Sequence, residues 1–173
     1  RLFQHPKRSL VNPLYSKVGV LGYMGPFFCE SHLNHQLFPL QYPFVYAHEL
    51  SHLLGVSAEA EANYWAFKMC ISSSSPFVRY SGYSGLLPYV LSNAYALLSP
   101  EDCDKWVATL RPEVVADFSA QRKFWREEYS PILGSIQDKL YTLYLKGNKI
   151  SSGQKNYAEV VGLLLATSSH EKK

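Results

Sequence analysis

The stretch His48-Glu49-Leu50-Ser51-His52, closed by Leu53-Leu54-Gly55 and followed by Glu59-Ala60-Glu61-Ala62-Asn63, decides how this chain is read. On a helix, positions i and i+4 share a face, so His48 and His52 can aim ring nitrogens at one Zn²⁺. Glu49, next to the first histidine, can serve as general base toward a water activated by that metal. The pattern predicts a zinc-dependent peptidase domain, with Zn²⁺ as cofactor and a peptide or protein as substrate.

Two histidines and a water leave the site one protein ligand short. A histidine six residues after the second is excluded, because that position is Ala58. Glu59 and Glu61 are the acidic candidates. They differ by two helical steps, about 200°, and cannot both face the metal. Glu59, at the start of the returning helix, is favoured. Asn63 lies one turn further along the same face, as a hydrogen-bonding support for the ligand Glu59. Cys29 upstream is a weaker candidate, and His32 and His35 read as loop or cleft residues.

Local signals frame the motif. Pro43 opens its helix, Gly55 stops it, and Ser57 is placed to cap the next, so an antiparallel helix pair is expected. Val18 to Glu30 is apolar and glycine-punctuated, which suits short extended strands before the motif, with one of them lining a substrate cleft. Residues 1–17 read as a basic, proline-broken entry segment that packs late or lies on the surface, and 31–43 as a loop. Ser72–Pro76 is a polar break. Arg79-Tyr80-Ser81-Gly82-Tyr83-Ser84-Gly85 leads into an uncharged helix ending near Leu98. Further helices are expected from Pro100, from Pro112 to about Glu128, from Pro131 to Lys146, and over roughly Tyr157 to Ala166. The fold class is mainly α, a zincin-like helical domain with a small β element ahead of the motif helix, in one domain over 1–173.

The 173 residues are 47% hydrophobic and 18% charged, enough for a substantial core and unlike a disordered segment. A net charge of +3 without a basic run gives no reason to expect nucleic acid. Three widely spaced cysteines form no CxxC pair, so neither a disulfide framework nor a thiolate zinc finger is indicated. The first residue is Arg1, and a longer parent protein is expected.

For the donor that stabilises a developing oxyanion, Arg79, Tyr80 and Tyr83 are the candidates. Lys146 and Tyr157 could also reach a cleft.

The segments GPFFCESHLN, PFVYAHELSHLLG, EAEAN, RYSGYSG and YLKGN…GQKNY together resemble an uncharacterised bacterial family of membrane-anchored HExxH proteins. The resemblance implies transmembrane helices ahead of this region. EAEAN is also similar to the ExxA(D/N) motif of gluzincin peptidases, which implies Glu59 as zinc ligand and Asn63 beside it. The link from His52 to Glu59 is shorter here than in many gluzincins.

Two other classes remain in view. One is a non-catalytic module that keeps the metal for stability or binds a partner through its tyrosines. The other is a zinc amidase or deformylase. Glu49 argues against the first, since a structural site has no use for a base.

Overall fold

Helices α2 (Tyr42–Leu53) and α3 (Glu59–Ile71) carry the motif in the computed structural model, which describes residues 6–8, 12–25, 30–131 and 156–170. They run antiparallel: Glu59 meets His52 at one end, and Cys70 shares an apolar hollow with Pro43 and Tyr46 at the other. Gly55 makes the reversal, with a left-handed φ of 102°. Its N–H donates to the His52 carbonyl (3.0 Å), and the Val56 N–H donates to the Ser51 carbonyl (3.0 Å). These paired bonds are a Schellman closure, which ends a helix by satisfying its last carbonyls.

Ser57 does not cap α3. Residues 56–58 are used as an extended link, so the capping position moves to Ala58, which has no side chain able to bond. At its other end α2 also lacks a local cap, since Gln41 makes no capping bond. The cap comes from another helix. Ser81, fully buried on α4 (Pro76–Leu97), donates to the Leu40 carbonyl (2.6 Å) and accepts from the Phe44 N–H (3.1 Å).

Helix α4 starts at Pro76, capped by Ser75, so the RYSGYSG segment lies inside the helix instead of leading into it. Its glycines there allow close packing. A Cβ at Gly82 would stand 2.7 Å from Cys70 Cβ, and one at Gly85 would run into the Phe44 ring. The core gathers Phe44, Ala47, Ala60, Ala66, Cys70 and Leu86 from these three helices, with Val160 from the last helix. Small alanines on α3 are what let three helices converge there.

Helices α5 (Pro100–Ala108), α6 (Pro112–Glu128) and α7 (Asn156–His170) complete the described helical part. Ser99 caps α5 by accepting from the Asp102 N–H (3.2 Å). The helix expected up to Lys146 falls outside the described residues beyond 131, as do Cys29, Lys146 and the Tyr157 side chain. The fold is mainly α, and among the described residues no helix is long and apolar enough to cross a membrane.

A three-stranded sheet precedes the helices, in the order β1 (Lys7–Arg8), β3 (Glu30–Leu33), β2 (Gly22–Gly25). β3 pairs parallel with β1 and antiparallel with β2, placing Tyr23 opposite His32. Two expectations are corrected here. Residues 31–33 are strand, not loop, and the first segment is not simply laid on the surface. Helix α1 (Asn12–Val18) buries Asn12 and Ser16 completely. Asn12 Nδ2 donates to Asn34 Oδ1 (2.8 Å), Asn34 Nδ2 donates to Ser16 Oγ (3.0 Å), and the His35 N–H donates to Asn12 Oδ1 (2.8 Å). This buried polar network holds α1 to the end of β3, satisfying groups that would be costly to bury alone.

Candidate metal centre

His48 and His52 project from one face of α2, and their Nε2 atoms come within 3.1 Å. Glu59, at the first position of α3, brings Oε2 to 3.2 Å from His48 Nε2 and Oε1 to 3.5 Å from His52 Nε2. One ligand atom from each lies within 4.8 Å of the others. A tetrahedral zinc with bonds of 2.0–2.1 Å would hold its ligand atoms about 3.3 Å apart, so the donor set fits that ion in both chemistry and spacing.

The turn after α2 also selects the tautomer. His52 Nδ1–H donates to the Val56 carbonyl (2.7 Å), so Nε2, which faces the other two residues of the group, is the nitrogen left to give up its proton and hold a metal. Hydrogen bonds from His48 and then His52 hold the Glu59 carboxyl well below the usual carboxylate range, even though the side chain is half exposed. Glu59 in turn raises the pKa of His52 against the opposing effect of burial.

Glu49 points elsewhere from the same helix. It is 4% exposed, its Oε2 has no hydrogen-bond partner, and burial pushes its pKa up against the lowering influence of His48 and His52. The Ser31 hydroxyl of β3 stands near enough to favour the charged form without making an aligned hydrogen bond. Strand β2 closes over the carboxylate at Gly22.

Two hollows, of about 300 and 500 Å³, meet at Gly22, His48, Glu49 and Glu59. The larger one runs past Tyr23 and the Gly55 turn. The smaller one continues between α2, α4 and α6, where Tyr89 and Gln121 line it.

The structure brings His48, His52, Glu49 and Glu59 together. Of the two acidic candidates, Glu59 stands in the group and Glu61 does not. Asn63 is buried beside the site, but its amide donates to Tyr89 Oη (3.0 Å) instead of supporting Glu59. The three expected donors are elsewhere. Arg79 donates to the carbonyls of Ser73 and Ser74 (2.9 Å each), and Tyr83 is exposed with an edge contact to Phe67. The Tyr80 phenol donates to Asp117 Oδ2 (2.8 Å) and is pushed up to about 12, mainly by burial. The face of α4 turned to the site instead carries Ser84, Gly85, Pro88 and Tyr89. Helical spacing counted from Ser81 leads to that face, and so to Tyr89, the residue missed in the sequence. His32 stacks on Tyr23, 5.0 Å between ring centres, and His35 is exposed; neither joins the ligand group.

Residues 1–165 match the family described as a protein of unknown function (DUF3810). No curated protein and no solved structure matches the chain.

Proposed function

We propose that this chain, which belongs to the DUF3810 family, is a zinc-dependent, gluzincin-like peptidase. The observation that carries the reading is the convergence of His48, His52 and Glu59 beside the buried carboxylate of Glu49, whose Oε2 has no hydrogen-bond partner. Zinc, when bound, supplies Lewis acidity to a water and to the peptide carbonyl.

The remaining work falls to the chain's own side chains. Glu49, desolvated and with a raised pKa, is a stronger base than an exposed glutamate, so it takes the proton of the attacking water and passes it to the leaving amine. Tyr89, fixed by Asn63, is the donor for the developing oxyanion, in place of Arg79, Tyr80 or Tyr83. Strand β2 pairs on one side only among the described residues, and its other edge offers main-chain groups to an extended peptide. That free edge favours a peptide over the small substrates of an amidase. Attachment to a bacterial membrane through a preceding segment rests on the family resemblance.

The test is a purified protein assayed for zinc content and for cleavage of a casein or peptide-library substrate. Glu49→Gln should retain one zinc and lose cleavage by at least 100-fold, while His52→Ala should lose both. A protein that binds no zinc at neutral pH, or a Glu49→Gln variant with full activity, would sink the reading.

A further inference from the structure

The smaller hollow beside the metal centre has walls whose chemistry is selective. Leu21, Phe44, Val45 and Pro88 form an apolar lining, and among the described lining residues the acidic side chains, Glu49 and Glu59, stand at the metal end. An anionic side chain entering it would lose hydration and face two carboxylates, and a cationic one would meet them only at the metal end and lose its hydration along the apolar walls. Yet the hollow is not wholly apolar. Gln121 of α6 lines it, and the amide oxygen of that side chain is buried and has no hydrogen-bond partner. One turn further on, Trp125 donates its Nε1–H to Gln41 Oε1, which anchors that face of α6 against the start of α2 and fixes where Gln121 sits. Gln41 is thereby used as an acceptor already. Gln121 is not.

We propose that this hollow receives one uncharged side chain of the substrate bearing a hydrogen-bonding tip, tyrosine foremost, and that Gln121 determines this specificity. Its position next to the scissile bond rests on the peptidase reading; its selectivity does not. A buried acceptor left alone is unfavourable, and a donor arriving with the ligand removes that penalty. A phenol both donates and accepts, so it meets the Gln121 amide in either orientation of that group. Phenylalanine would fill the same space and leave the amide unpaired, a loss that sites built around a hydroxyl translate into strong discrimination. About 300 Å³ holds one aromatic side chain, and Gly85 keeps that room: any Cβ there would drive the Phe44 ring, itself a wall, out of place.

The experiment measures binding of N-acetyl-tyrosinamide and N-acetyl-phenylalaninamide to the zinc-loaded Glu49→Gln protein, by ligand-observed NMR. The tyrosine probe should bind at least 10-fold more tightly. Gln121→Met, similar in shape but without the amide, should reduce that ratio to below 2. Gly85→Ala should weaken both probes together. Equal affinities in the Gln121 protein, or a ratio that Gln121→Met leaves unchanged in a normally folded protein, would overturn the proposal. A retained tyrosine preference in a protein that cleaves no peptide would support the pocket assignment and count against the peptidase reading alone.

Discussion

Gly22 and Glu49 approach so closely that a Cβ on the strand residue would stand 2.6 Å from Glu49 Oε1. The edge strand and the base therefore fix one another's position, although they come from separate parts of the chain. Gly22→Ala should displace the carboxylate and lower kcat/KM by about 10- to 100-fold, the scale expected for a misplaced reacting group. Because Gly22 supplies no atom to the His48, His52 and Glu59 group, bound zinc measured by atomic emission should stay at the wild-type level.

Zinc bound only by the folded state adds stability by mass action, about 4 kcal/mol when free metal is 1,000 times its Kd. For a chain of this length that corresponds to a rise in Tm of about 10 °C. Scanning fluorimetry with and without EDTA should show it, and His52→Ala should abolish it. An equal Tm in both conditions would argue against a preformed site.

Ser81→Ala removes the partner of two buried groups at once, the Phe44 N–H and the Leu40 carbonyl. Urea unfolding should show a loss of about 2–3 kcal/mol with an unchanged m-value. This exceeds an ordinary surface helix cap, since both orphaned groups lie in the interior.

Burial raises the Cys70 thiol from 9.0 to about 11. Between those values the unfolded chain has lost the proton while the folded chain keeps it. Stability from this group is therefore complete below pH 9 and declines as pH rises toward 11, by about 1.4 kcal/mol per pH unit. Denaturant midpoints from pH 8 to 11 should fall with that slope more steeply in the wild type than in Cys70→Ala.

The candidate ligand group was legible in the sequence because helix periodicity and one tight turn determine where His48, His52 and Glu59 lie. Nothing distant is needed. Tyr89 was hidden for the opposite reason. Helix α4 is uncharged over most of its length, so no contrast of polar and apolar faces shows which side meets α2. That side is set by glycines and Ser81, whose roles exist only once the partner helix is in place. Strand β3 was missed because its polar residues, Glu30, Ser31 and His32, obscure a segment defined by pairing with both neighbours. The burial of Asn12 and Ser16 was not legible, since polar side chains give no sequence signal of the buried network they complete.

The carbonyl of Val56 that orients His52 lies between the second and third ligands in the chain, so the whole ligand set belongs to one short, local segment. Contacts of small sequence separation close early in folding, whereas the burial of Glu49 waits for strands β2 and β3 to arrive from upstream. Under the proposed peptidase function, metal capture and hydrolytic competence would then be acquired in succession. A newly made chain would hold a metal while Glu49 was still solvated, and the proposed chemistry would switch on only as the sheet closed over that carboxylate.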